Sequence, residues 1–418
     1  MSAKKPLPLV SVPTAARKFT GRFLVRLDGK TPVAAIVRAA KAKGLQLAAS
    51  ATTDDVLSRT LQQSDGVIFE RLRIALINEA GASRLQALLK VAQSPFLSSE
   101  PERFVRAFQA VSRGRSFKDT AVATWGIHAV GAAGVRATGK GVKLAILDTG
   151  FDFTHPDFSG RTIHRKSFVG TRQAKDMEGH GTHIAGIAGG DRKGRDGVRY
   201  GLAFGARLYI GKILDDAGEG TDGQTLAGIE WALEKGCQII SMSFGAPVEA
   251  GQPCSEVFEH VAQIAMANRC LMIAASGNES ERANDKPAIA AVNHPANCPS
   301  IMAVGALTPA LGVADYSCAG APGAVAASGS AGSGAGFSGQ IDIAAPGDNI
   351  LSAKPGGGYR RESGTSMATA FVAGVAALLW EQYPTAGAGD IWARLTQQAW
   401  RLALPASDVG AGLCALRN

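Results

Sequence analysis

Aromatic side chains are scarce: Phe, Trp and Tyr make up 6% of the 418 residues. In the basic N-terminal part they are not clustered, and no recognisable nucleic-acid-binding motif accompanies the charge. Nucleic acid is therefore not expected as a partner. The six cysteines form no CxxC pair, which argues against zinc and a thioredoxin-type redox site. The longest apolar run, around Ala368–Trp380, is too short and too broken by glycine to span a bilayer, so no membrane partner is expected. The opening residues, MSAKKPLPLVSVPTAARKF, hold no apolar core of leader length. The expected location is the cytoplasm, or outside the cell if a leader was removed before this sequence was written down.

What is present points to a packed protein. Apolar residues make up 46% and charged ones 19%, which favours a globular chain over disorder. The length allows two domains, one of them large. The net charge of +9 is uneven: residues 1–118 carry 20 Lys and Arg against 8 Asp and Glu, and the rest 24 against 27. A basic segment beside a slightly acidic one suggests docking of one on the other.

The chain divides into a disordered tail (1–17), a small α+β domain (18–107), a basic linker open to cleavage (108–120) and a large domain (121–418). In the small domain KFTGRFLVRL, GVIFERLRIALI and RFVRAF are expected to be strands. TPVAAIVRAAKAKG and GASRLQALLKVAQ carry apolar residues at helical spacing. In the large domain GVKLAILDTG, ARLYIGKIL, CQIISMSFG, CLMIAASGN and PSIMAVGAL are near-continuous apolar runs, the pattern of parallel strands buried on both faces. Helical stretches alternate with them, which predicts an α/β domain with helices on both sides. Ligands then belong at the carboxyl ends of the strands. Residues 319–339 are low in complexity and expected to form a flexible insertion.

Three clusters stand where strands end or helices start: LAILDTG with Asp148, DMEGHGTHIAGIAGG with His180, and SGTSMATAFVAG with Ser366. Taken singly, they read as a turn, a structural histidine and a helix N-cap. Together they supply the acid, base and nucleophile of a serine hydrolase. With the order Asp, His, Ser, residues from about Trp125 to Pro384 resemble the subtilisin-like serine proteases, the subtilases. The resemblance implies a three-layer α/β/α domain with a mostly parallel sheet. Ser366 would attack the scissile carbonyl, His180 would carry the proton and Asp148 would fix the imidazole. His183 would pack rather than react. Asn278 in IAASGNES would be the second oxyanion donor. Ser243, Phe244 and Gly245 would form one wall of the primary pocket, Ala274, Ser276 and Gly277 the other, and Asn293 its floor. Leu214 would line the substrate cleft. DDAGEGTDG aligns with the family's substrate-binding loop, with Gly218, Glu219 and Gly220 as backbone partners. Asp215, Asp216, Glu219 and Asp222 would make this rim acidic and favour basic residues upstream of the cut. GEGTDG (218–223) also fits the dinucleotide fingerprint. A pyrophosphate there would face these acids, and no acidic residue ends the next strand to hold a ribose.

The resemblance extends to residues 18–107, which follow the element order of subtilase propeptides. It implies a folding aid and intramolecular inhibitor, removed by self-cleavage between about Arg113 and Thr124. A permanently attached regulatory domain is the second reading. Three departures stand out. Ala370 replaces a proline common in the family, which opens a transpeptidase or ligase reading. Asn293 stands where the pocket floor is often glycine. The strong calcium loop is replaced by the arginine-rich GGDRKGRDGVRYG, although Asp157 matches one family ligand, so no metal is expected to be required. Cys254 and Cys298 resemble a disulfide pair of secreted relatives and read equally as two free thiols; Cys237 and Cys270 are expected to be buried. A catalytically silent binding protein is the non-enzymatic alternative, and a monomer acting on peptides or proteins is the expected state.

Overall fold

The computed structural model describes residues 18–49, 60–61, 63–107, 119–171, 173–194, 197–249, 252–284, 287–320 and 339–417. The tail at 1–17, most of the linker and most of the low-complexity insertion lie outside the described residues.

The small domain runs β1 (Phe19–Leu27), α1 (Val33–Ala42), β2 (Leu47–Ala49), β3 (Gly66–Phe69), β4 (Ile74–Ile77), α2 (Ala82–Leu89) and β5 (Phe96–Ala107). Its strands lie in the order β5-β1-β4-β3-β2. GVIFERLRIALI is not one strand but two, folded into an antiparallel pair. The turn Glu70–Arg73 was hidden because Leu72 carries the apolar alternation through it; Arg73 takes up φ +56° to close it. Side-chain alternation then divides the sheet between two cores. Val25, Ile68, Ala75 and Ile77 face α1 and α2, while Leu24, Val67, Leu72 and Leu76 join a core shared with the large domain.

In the large domain the described elements continue with α3 (Trp125–Ala129), β6 (Lys143–Asp148), β7 (His164–Ser167), α4 (His180–Gly189), β8 (Arg207–Lys212), β9 (Glu219–Thr221) and α5 (Asp222–Glu234). There follow β10 (Ile239–Met242), β11 (Phe244–Gly245), α6 (Glu256–Ala267), β12 (Leu271–Ala275), β13 (Met302–Leu307) and β14 (Ile343–Pro346). The hairpin β15 (Ile350–Ala353) and β16 (Tyr359–Glu362) leads into α7 (Thr365–Gln382) and α8 (Ala388–Gln398). The sheet order is β14-β13-β12-β10-β6-β8-β7, and every pairing in it is parallel. Alternate strand residues serve opposite faces. Leu144, Ile146 and Ile273 pack against α4 and α7; Ala145, Leu147 and Met272 pack against α5 and α6. This is the three-layer α/β/α arrangement. Buried residues run through α7 from Thr365 to Trp380, so that helix is a core element without a solvent face.

The two domains meet through β5, whose end enters the large domain between β9 and β11, antiparallel to both. Two glutamates on β5 meet helix N-termini. Glu102, fully buried, accepts from Gly223 N at the start of α5 at 2.8 Å, from Thr20 Oγ1 at 2.5 Å and from Arg22 Nε at 2.5 Å. Glu100 accepts from the hydroxyl of Ser255, the N-cap of α6. Glu102 satisfies an otherwise unpaired N–H of α5, Glu100 holds the capping hydroxyl of α6, and both carboxylates face the positive end of a helix dipole. Docking therefore combines acids of the basic domain on helix ends with the simple attraction of a basic domain for an acidic one.

Candidate active site

Asp148 closes β6, the interior strand at which the sheet order reverses. Its Oδ1 accepts from Thr149 N at 2.7 Å and from His180 Nδ1 at 2.8 Å, and both side chains are buried. His180 is the first residue of α4. Asp176 fixes that helix start: its oxygens accept from Gly179 N (2.7 Å), Thr182 N (2.8 Å), Thr182 Oγ1 (2.6 Å) and Thr149 Oγ1 (2.9 Å). Gly181 is required next to His180, because a Cβ there would lie 2.2 Å from the carbonyl oxygen of Gly150.

Ser366 is the second residue of α7 and fully buried. Its Oγ donates to the carbonyl of Ser243 at 3.1 Å, and Ser243 Oγ donates to the carbonyl of Ser366 at 3.2 Å. His180 Nε2 is buried with no hydrogen-bond partner among the described residues. The hydroxyl is thus parked on the β10–β11 junction, and the Asp–His half of the constellation is formed without it. Catalytic hydrogen bonds commonly close only on productive substrate.

Asn278 follows β12. Its Oδ1 accepts from Thr365 N (2.9 Å) and Thr365 Oγ1 (2.8 Å). This orientation turns Nδ2 toward the loop before Ser366: a Cβ on Gly364 would lie 3.1 Å from it. Thr365 Oγ1 also accepts from Gly277 N at 3.2 Å, which ties the β12 loop to the start of α7.

Burial opposes charging of the His180 ring, but the Asp148 carboxylate outweighs it, with help from Glu362 and Glu178, and raises the ring to about 9. His183 behaves oppositely. Burial, then the charge of Arg360, lowers it to about 3, and its Nε2–H faces the carbonyls of Ile350 and Arg360 at 3.2 Å each. Raising an imidazole favours its protonated form, so a base of this kind is freed only as the medium becomes alkaline. The rising limb of kcat/KM against pH is expected on the alkaline side of 6.5. Glu362→Gln, which deletes one raising charge, is expected to move that limb to lower pH; a limb unmoved in the variant would contradict this.

The rim differs from the sequence expectation in several places. Glu219 and Gly220 pair with Arg106 and Val105, and Thr221 rather than Gly218 supplies the next position, opposite Phe104. Gly218 turns the loop instead, at φ +75°. Of the four acids, Asp215 bonds Ala217 N and Glu219 N, and Asp216 is paired with buried Lys212 at 2.8 Å. Asp222 is fully buried, accepting from His294 Nε2 and Arg103 N at 2.9 Å each. Asp215, Asp216 and Glu219 are all exposed, and the Glu219 carboxylate lies 3.2 Å from Arg106. Leu214 lies buried beside Gly220. Phe244 and Gly245 pair with Ala107 and Arg106, and Phe244 and Val105 share one apolar cluster. Ala274, Ser276 and Gly277 are buried on the other side. Asn293 Nδ2 donates to Glu279 Oε2 at 2.7 Å, and the Cys318 thiol lies 3.2 Å from the same oxygen.

The candidate calcium ligand Asp157 accepts from the hydroxyls of Tyr200 (2.6 Å) and Tyr359 (2.9 Å). Nearby carbonyls are taken by guanidinium groups: Arg161 donates to Gly189 O and Ala206 O, and Arg199 to Ala132 O and Gly201 O. These surroundings do not fit a strong cation site. Cys254 and Cys298 are free thiols. Burial pushes Cys298 up, and a hydrogen bond with Cys298 holds Cys254 down. Cys237 and Cys270 are buried.

Sequence reasoning missed Asp176, Glu362 and the Ser243 carbonyl. Asp176 had a readable signal, an acid just before a glycine-rich helix start. Glu362 and Ser243 had none, since their contacts with the site come from distant parts of the chain.

The subtilase family (Peptidase_S8) matches residues 139–412. Subtilisin of Bacillus pumilus is 36% identical over 250 residues, 59% of this chain and 80% of its own. Subtilisin E of Bacillus subtilis is 36% identical over 250 residues, 59% of this chain and 58% of its own length. Among solved structures, sphericase superposes with a TM-score of 0.58 at 29% identity, covering 70% of this chain and 98% of its own. The chain belongs to the subtilase family of subtilisin-like serine proteases.

Proposed function

We propose that the protein is a serine endopeptidase in which Ser366, His180 and Asp148 form the catalytic triad and Asn278 supplies an oxyanion donor. The observation that carries this reading is the convergence of four chain segments on one spot. Asp148 holds His180 at 2.8 Å; Ser366 stands in the first turn of a buried helix; and Asn278 is locked to the residue before Ser366. His180 takes the Ser366 proton as Oγ attacks the carbonyl and returns it to the leaving amine. The start of α7 and the Asn278 amide meet the oxyanion. No metal is required in this scheme. The N-terminal domain is read as an intramolecular inhibitor that the enzyme removes itself, because β5 fills the strand position a peptide substrate would take. Peptides or proteins are the substrates, and the working unit is a monomer.

Hydrolysis of a fluorogenic peptide after linker cleavage tests the reading. Asn278→Ala is expected to lower kcat on the order of 100- to 1000-fold with KM little changed; an unchanged kcat would remove Asn278 from the chemistry. The Arg106–Glu219 pair predicts a preference for a basic residue at the Arg106 position. Peptides with Lys there should be cleaved faster than those with Glu, and Glu219→Gln should erase the difference. Exposed pairs contribute little, so a factor of a few is expected. Equal rates in the wild type would count against this role.

A further inference from the structure

A second cleft lies at the border of the large sheet. β7 ends the strand order and pairs with β8 on one side only. A cavity of about 490 Å³ is lined by Arg165, Lys166 and Ser167 of this strand, by 152–154 and by 173–175. Side chains of consecutive strand residues alternate between faces, yet all three strand residues line the cavity and β8 lends it none. The cavity therefore runs along the unpaired edge of β7. Its volume lies within the range of about 300–1,000 Å³ usual for ligand clefts, far more room than one inorganic anion needs.

The lining carries three cations, Arg165, Lys166 and Lys175, against one acid, Asp152. That acid is spent on the chain itself. Its Oδ1 accepts from Thr154 N at 2.9 Å and Thr154 Oγ1 at 2.6 Å, and its Oδ2 from Gly356 N at 2.9 Å. Arg165 and Lys175 are exposed and form no ion pair among the described residues. The Arg165 guanidinium stands over the Phe153 ring at 4.5 Å, which holds the charge over the cleft on an apolar base. A free strand edge offers a row of backbone donors and acceptors to an extended chain. The wall at 173–175 continues into Asp176, which fixes the start of α4, so a partner held here is held beside the active site.

We propose that this cleft is a docking site for an acidic, extended segment of a protein partner. The segment pairs with the free edge of β7 while its carboxylates meet Arg165, Lys166 and Lys175. Charge complementarity selects the acidic partner, and the strand edge selects polypeptide over a free anion. The site is separate from the proposed triad and stands whether or not peptide hydrolysis is confirmed.

The test is fluorescence anisotropy of a fluorescein-labelled peptide of alternating Glu and Thr, titrated with the full chain carrying Ser366→Ala so that the probe stays whole. Saturable binding is expected at physiological salt. Arg165→Glu with Lys175→Glu should weaken it on the order of tenfold or more, and Arg165→Gln with Lys175→Gln should weaken it less. Lys41→Glu with Lys43→Glu, a reversal of two exposed charges on the small domain, should change it by less than about twofold. A probe N-methylated at alternate residues loses strand donors and should bind far more weakly. Absence of binding, or equal weakening by the Lys41 and Lys43 reversal, overturns the site, because general attraction to a basic protein then suffices. Equal binding of the N-methylated probe, or displacement by inorganic phosphate at matched concentration, overturns the docked strand and leaves only an anion site.

Discussion

Ser366→Ala is expected to lower kcat on the order of 10⁶-fold, the largest effect of any single substitution in this protein. In the proposed mechanism this hydroxyl forms the acyl-enzyme and the N–H groups at the start of α7 serve the oxyanion, so alanine would remove the nucleophile without disturbing them. The position is fully buried, and replacing a hydroxyl by hydrogen there adds no bulk. Ser243 Oγ still has the Ser366 carbonyl to donate to, so the fold should tolerate the change. The measurement is turnover of a fluorogenic peptide by wild type and variant, both nicked with trypsin at Arg113 or Arg115 and freed of trypsin. Because triad members act as a unit, adding His180→Ala should cost almost nothing further. A further large loss in the double variant would mean that His180 acts by a route other than through Ser366.

Asp148→Asn should lower kcat on the order of 10⁴-fold near neutral pH. The carboxylate does two things here. It accepts the Nδ1–H of His180 at 2.8 Å, which fixes the tautomer with Nε2 free to receive a proton. It also stabilises the imidazolium that forms in the transition state. An asparagine can turn its NH₂ toward Nδ1 and trap the opposite tautomer, which leaves Nε2 protonated and useless as a base. The same change removes the strongest influence raising the ring, so the rising limb of the pH profile must move toward acid as the maximum falls. A variant with near wild-type kcat, or with its limb unmoved, would contradict the orienting role of Asp148.

Much of the site could be read from the chain because its parts are local. Parallel strands buried on both faces appear as unbroken apolar runs, so β6, β8, β10, β12 and β13 were visible, and with them the strand end that carries Asp148 and the loop that carries Asn278. Glycine-rich helix starts marked His180 and Ser366. What escaped depends on partners far away in sequence. β9 is a strand because β5 pairs with it; alone, GEGT reads as a loop. Asp222 looked like a surface charge and is buried, because β5 and His294 close over the start of α5. The turn between β3 and β4 was masked by Leu72, whose apolar side chain joins the core shared with the large domain. Ala370 lies inside an unbroken α7; a helix at this position needs no proline.

The central claim is that Ser366 is a nucleophile activated by His180 and Asp148. The most direct measurement is the mass and site of labelling by a fluorophosphonate, taken on nicked wild type, Asp148→Asn and Ser366→Ala. The account predicts one adduct, on Ser366, formed rapidly in wild type, far more slowly in Asp148→Asn, and absent from Ser366→Ala. Labelling of Ser366→Ala to the same extent, or equal labelling rates in wild type and Asp148→Asn, would contradict it.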